Sequence, residues 1–198
     1  VLDNGAGYPV TVYFNPLGVE TDKVELKDEF GLIIQKTNGS VTNISDISKT
    51  YDGKPVSAPT FDKLGDGVAT IEYKVKGAED STYIATAPKN AGDYVVRVTV
   101  AEGTNYKEAY ETAEFEIKKA AAKIDNNPTA INGLVYNGNP QALVSAGSTD
   151  DGVIKYSLDG VAYSTNIPEG TNAGTYSVYV RIVGDENHNN SDLMPIEV

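Results

Sequence analysis

The sequence predicts an all-β protein: two tandem β-sandwiches preceded by a small β segment. Three observations predict it. First, Tyr51-Asp52-Gly53-Lys54-Pro55 returns as Tyr136-Asn137-Gly138-Asn139-Pro140, and Asn90-Ala91-Gly92-Asp93-Tyr94 returns as Asn172-Ala173-Gly174-Thr175-Tyr176. The landmarks between them keep their order: Ile71-Glu72-Tyr73 matches Ile154-Lys155-Tyr156, Gly77 matches Gly160, Tyr83 matches Tyr163 and Pro88 matches Pro168. The 85 residues from Tyr51 to Tyr136 make a period too long for a solenoid and the right size for a domain with its own core. Second, several runs alternate apolar and polar residues, the period of a strand with one buried face. Third, 19 Gly and 9 Pro interrupt nearly every window of helical length, which argues against long helices. The expected division is 1–43 as a small β segment or partial domain, 44–119 as the first sandwich and 120–198 as the second.

In chain order, Tyr8-Pro9-Val10-Thr11-Val12-Tyr13-Phe14 reads as a strand, Asn15-Pro16-Leu17-Gly18 as a turn and Lys23-Val24-Glu25-Leu26-Lys27 as a second strand. Leu32-Ile33-Ile34 is a third candidate. In the first repeat, residues 69–76 alternate, as do residues 94–100, and a turn follows at Glu102-Gly103-Thr104-Asn105. Residues 112–118 close the unit with Ala113, Phe115 and Ile117 on one face. About seven such segments, spaced about 8–12 residues apart, are the signature of a sandwich. Lys118-Lys119-Ala120-Ala121-Ala122-Lys123 is the expected joint, short enough to restrict relative motion. In the second repeat, residues 153–158, Asp159-Gly160 and residues 161–163 read as a hairpin with a two-residue turn. Residues 176–182 repeat the Tyr94 strand, with Val178, Val180 and Ile182 in place of Val96, Val98 and Val100. Residues 194–198 would be the closing strand.

Tyr94 and Tyr176 each enter the strongest strand just after Asn-Ala-Gly. That is the setting of a tyrosine corner, in which the hydroxyl bonds back to the loop backbone, as in immunoglobulin sandwiches. Val96 and Val178, two residues on, fill the core where a cysteine would otherwise lie, and Gly92 and Gly174 supply backbone freedom at the corner. The expectation is a disulfide-free, immunoglobulin-like sandwich in each repeat.

Ile47-Ser48-Lys49-Thr50-Tyr51-Asp52-Gly53-Lys54-Pro55, then Asn90-Ala91-Gly92-Asp93-Tyr94, then Phe115-Glu116-Ile117-Lys118-Lys119 resembles the bacterial immunoglobulin-like repeats of the MBG/YDG type. Residues 44–119 carry the resemblance well. Residues 124–198 carry it more loosely, with Tyr-Asn-Gly for Tyr-Asp-Gly and no Phe-x-Ile-x-Lys ending. The resemblance implies tandem modules of exported or cell-surface bacterial proteins, acting as stalks or adhesin segments, with no catalytic residues common to the family.

Charge narrows the partners. The net charge of −12 divides as −3 for residues 1–44, −3 for 45–119 and −6 for 120–198. Such a surface repels phosphate backbones and anionic lipid, so nucleic acid is not an expected partner. No apolar run reaches transmembrane length and the N-terminus shows no basic-plus-apolar export signal, so no membrane insertion is expected. With no Cys there is no disulfide and no thiolate metal site.

Each constellation considered for chemistry has a plainer explanation. His188, the sole histidine, lies in the polar run Asp185-Glu186-Asn187-His188-Asn189-Asn190, which matches Glu102-Gly103-Thr104-Asn105-Tyr106. A solvated turn histidine is expected there, not the base of a Ser-His-Asp relay. Calcium is the better metal candidate, at Asp150-Asp151-Gly152 or Asp62-Lys63-Leu64-Gly65-Asp66-Gly67, but neither has EF-hand spacing and no metal site is assigned. Strand lysines alternate outward, without the Lys/Asn/acid triplet of an isopeptide cross-link. No phosphate-binding glycine loop opens a helix. No catalytic residue and no cofactor is assigned, and the chain is not expected to be an enzyme. The expected function is a structural spacer of an extracellular or cell-surface bacterial protein, monomeric. The alternative is an adhesin-type module for a glycan or extracellular protein, with Tyr106, Tyr110, Asn187 and His188 as loop candidates for contact.

Overall fold

The computed structural model describes residues 35–198. The strands expected at 8–14, 23–27 and 32–34, and the turn at 15–18, lie outside the described residues. Within them the protein is all-β. The strands are β1 (Ser40–Thr42), β2 (Lys49–Thr50), β3 (Asp62–Leu64), β4 (Ala69–Val75), β5 (Gly92–Val100), β6 (Ala109–Lys118), β7 (Ala120–Ala121), β8 (Gln141–Ala142), β9 (Gly152–Ser157), β10 (Glu169–Gly170), β11 (Ser177–Gly184), β12 (His188–Asn189) and β13 (Met194–Glu197). A single 3₁₀ turn, Asp80–Thr82, interrupts them. Among the described residues no helix is long and apolar enough to cross a membrane.

A four-stranded sheet runs β2-β6-β5-β4 and a three-stranded sheet runs β13-β11-β9. Three two-stranded pairs complete the set: β1 with β3, β8 with β10 and β7 with β12. Several small sheets with alternating buried faces fit the β-sandwich class. Contacts divide the chain into two compact units. Among the described residues, the first comprises 35–44, Thr60–Ile71 and Arg97–Glu111. The second comprises Ser45–Pro59, Glu72–Val96 and Thr112–Val198, and so holds residues of both repeats.

In the first unit Val41, Val98 and Val100 form a buried cluster packed by Ile44, Phe61, Ala69 and Ile71. In the second, Val178, Val180 and Ile182 of β11 are fully buried with Leu143, Val144, Ile154 and Tyr156. The alternation expected along β5 and β11 is therefore the observed burial pattern. Burying each such side chain stabilises the fold by about 1.5–3 kcal/mol relative to exposure. Phe115 and Ile117 also point inward, and Phe115 stacks on Tyr94 at 5.5 Å and meets Tyr73 edge-on at 6.2 Å.

Both tyrosine corners are present. Tyr94 Oη donates to the Asn90 carbonyl at 3.0 Å, and Tyr176 Oη to the Asn172 carbonyl at 2.8 Å. Only one corner needs its glycine. Gly92 has φ 154°, whereas Gly174 has no positive φ and open space around it.

The Asp159-Gly160 turn differs from expectation. The return arm meets β9 through one bridge, Tyr156 to Ser164, so residues 157–163 intervene instead of two. The reason is side-chain competition for the backbone: Asp159 Oδ1 accepts from the Val161 and Ala162 amides at 2.8 and 2.9 Å and from Ser157 Oγ at 2.7 Å. These bonds, that from Ser157 foremost, hold the Asp159 carboxyl down at about 2.

Candidate functional site

The second compact unit contains the place where one repeat passes into the next, and a group of polar residues converges there. The peptide leaves β6 at Lys118, whose carbonyl accepts from the Tyr51 amide at 2.8 Å. It then enters β7, which runs parallel to β12 with Ala120 opposite His188 and Ala121 opposite Asn189. The Ala120 amide donates to the Asn187 carbonyl at 2.9 Å and Lys119 Nζ to the Asp185 carbonyl at 2.9 Å. Lys123 N–H donates to Asp151 Oδ2 at 2.8 Å. The expected short linker thus contains a hydrogen-bonded strand, with the Ala120 and Lys123 amides bonded by the second repeat.

Three side chains of the 185–189 turn cross to the first repeat, Glu186 reaching Asn90 at 3.5 Å. Asn187, 7% exposed, accepts at Oδ1 from the Ala91 amide at 2.8 Å. His188 presents its ring to the edge of Tyr51 at 5.2 Å, with planes 89° apart. It is not the solvated histidine the polar sequence suggests, because its side chain is only 12% exposed. Its Nδ1 lies 2.8 Å from Asp185 Oδ1 and its Nε2 3.2 Å from Asp151 Oδ1. Both nitrogens can donate only in the protonated ring. Since both face carboxylates, neither is turned to a hydroxyl nucleophile, and the arrangement is that of a pinned structural residue. The Asp185 carboxyl is held below its usual range by the Asn187 amide, at 2.7 Å, and further by His188.

The first unit contains a similar parallel pairing with different side-chain bonds. The Thr37 amide donates to the Asn105 carbonyl at 3.0 Å, Thr37 bridges Tyr106 in parallel, and Lys36 pairs with Glu102. Asp66 Oδ2 accepts from the Asn105 amide at 3.0 Å and from its Nδ2 at 3.1 Å. Desolvation alone would raise the Asp66 carboxyl, but the hydrogen bonds from Asn105 and its neighbours outweigh it and hold it below its usual value. Position by position, Lys36 corresponds to Lys119, Thr37 to Ala120, Asp66 to Asp151, Asn105 to Asn187 and Tyr106 to His188. Asp66-Gly67-Val68 and Asp151-Gly152-Val153 share the same signal in the sequence. Both glycines are required, since a Cβ would stand 1.8 Å from the Ala101 carbonyl oxygen at Gly67 and 2.2 Å from that of Val183 at Gly152.

Of the four loop candidates, Asn187 and His188 are covered residues of the joint. Tyr106 is half-buried at the matching position in the first unit, and Tyr110, on β6, is 64% exposed. The two pairs belong to different units. In the acidic loops considered for calcium, three carboxylates have partners within the protein: Asp62 pairs with Asn43, Asp66 with Asn105, and Asp151 with Lys123 and His188. Among the described residues no group of three or more His, Asp and Glu side chains could hold a metal.

Residues 38–128 match the MBG domain. The matched segment spans the Tyr-Asp-Gly turn, the first tyrosine corner, β6 and the β7 linker. No curated protein matches the chain. The MBG segment thus ends beyond the strand that locks it to the second repeat, so the joint lies partly inside it.

Proposed function

We propose that the chain is a non-catalytic spacer of a bacterial cell-surface or secreted protein, built from immunoglobulin-like modules at 44–119 and 120–198 after a small β segment at 1–43. The observation that carries this reading is the joint. Asn187 and Lys119 make hydrogen bonds that hold one module to the next, and the His188 ring packs on Tyr51 across the same joint, as a spacer that must transmit position requires. The similarity of residues 38–128 to MBG domains supports a structural or binding module. A flexible tether would leave those groups to water.

Because the chain has no Cys, paired labels can be placed at will. Spin labels at Thr86→Cys and Val161→Cys, one exposed site in each repeat, should give one narrow distance distribution that broadens when Asn187→Ala and His188→Ala are combined. A distribution already broad before those substitutions would reject the spacer. The second reading is a glycan- or protein-binding module, favoured by the exposure of Tyr110. Saturable binding on a glycan and extracellular-matrix array, lost in Tyr106→Ala/Tyr110→Ala, would establish it.

A further inference from the structure

We infer that the open pole of the second repeat, around Tyr136, Asn172 and Ala173, is a socket for the asparagine-bearing turn of a further module of the same build continuing the polypeptide. The inference deepens the spacer reading and rests on the joint that carries it.

The first repeat shows what such a pole does when filled. Tyr51, Asn90 and Ala91 are half-buried beneath the 185–189 turn. The Ala91 amide is bonded to Asn187 Oδ1, Asn90 Nδ2 reaches Glu186 Oε1 at 3.5 Å, and Tyr51 receives His188. The second repeat rebuilds the same frame. Asp52 accepts from the Lys54 amide at 2.9 Å, as Asn137 does from the Asn139 amide at 2.9 Å, and Gly53 and Gly138 share φ 73° and 76°. Tyr176 holds the Asn172 carbonyl as Tyr94 holds that of Asn90.

What differs is the cover. Tyr136 is 64% exposed, Asn172 and Ala173 are exposed, and among the described residues no hydrogen bond reaches the Ala173 amide. The pole encloses a cavity of about 360 Å³, lined also by Leu134 and Val198. Beside it Val135 is 74% exposed and, among the described residues, has no strand partner, whereas its counterpart Thr50, itself exposed, pairs with Lys118 in the closing strand of its own repeat. An exposed apolar segment against an open cavity marks an interaction surface. The internal repeat identifies its occupant, because an equivalent pole in this molecule is occupied by an equivalent turn. The covalent path agrees: β7, which follows the first repeat directly, belongs to the docked turn's own parallel pair. A module tethered at Val198 would dock at high effective concentration, so few contacts suffice.

The test is a chain of residues 1–198 followed directly by a second copy of residues 120–198, read by amide hydrogen exchange. In the 198-residue protein the Ala91 amide should be protected and that of Ala173 fast. In the extended protein the Ala173 amide should slow by at least about tenfold, and Asn187→Ala in the appended copy alone should restore fast exchange. An unslowed Ala173 amide, with the appended copy's β11 amides protected and that copy therefore folded, would overturn the inference. Protection that instead grows with concentration in the 198-residue protein would assign the socket to a second copy of the chain and reject the tethered occupant. Failure here leaves the label-distance test of the spacer untouched, so the two readings fail separately.

Discussion

The Tyr51 pole of the first repeat and the Tyr136 pole of the second have the same local frame and different surroundings. Each carries an Asx turn with a left-handed glycine and a tyrosine whose hydroxyl holds a loop carbonyl four residues back. One pole is covered by the 185–189 turn, while the other is open over a cavity. The lesson is that short-range chemistry sets the frame, since each of its bonds spans two to four residues. Exposure is set at long range, by whether another turn sits on top.

The largest test asks whether the difference lies at the poles and not in the cores. Ile182→Ala, at a fully buried position, should cost about 2–5 kcal/mol in urea unfolding. Val135→Ala at the open pole, where the side chain is 74% exposed, should stay within about 0.5 kcal/mol. A large loss at Val135 would mean that the open pole is packed in solution and would break the comparison.

Asn187→Ala removes the acceptor of the Ala91 amide and should cost about 1–2 kcal/mol, with faster exchange at that amide. Asn172→Ala in the second repeat should be nearly silent, because its corner uses the backbone carbonyl. Equal effects would show that the two poles are alike after all.

Tyr94→Phe and Tyr176→Phe should each cost about 1 kcal/mol and by similar amounts, because both hydroxyls make the same bond. A clear inequality, measured side by side in urea, would show that the docked turn reinforces its corner.

The smallest effect is on pH and is largest at Asp159 in the second repeat. The Asp159 carboxyl sits at about 2 in the folded protein against 3.8 ordinarily. A lowered value means that its stabilisation is complete above about 3.8 and is lost as pH falls through about 2. The Val161 and Ala162 amides should therefore exchange faster on acidification, relative to the pH trend of exposed amides, and Asp159→Asn should remove that excess. The Asp185 carboxyl, also lowered, places acid loosening of the joint in the same direction.

Much of this was legible in the residue order. Alternation along 94–100 and 176–182 located the core strands, because a buried face of a strand demands apolar residues at every second position. Asn-Ala-Gly before a tyrosine located both corners, because that bond is local. The 157–163 turn was not legible as built: Asp-Gly reads as a tight hairpin, whereas Ser157 and Asp159 side chains capture the amides that would have closed it. Nor was the joint. A polar run with one histidine reads as solvated, and nothing within it announces that Asp151, Ala91 and Tyr51 stand around it.

What the sequence determined by itself is therefore the class of fold, the core positions of its main strands and its two corners, all consequences of periodicity or of bonds spanning a few residues. Only the tertiary structure decided that Asn187 and His188 are joint residues and not surface ones, that Asp66 accepts from Asn105 and Asp151 from Lys123, and that one of two like poles is covered. Those outcomes depend on groups about 30 to nearly 140 residues apart, and no local pattern encodes which distant group will meet which.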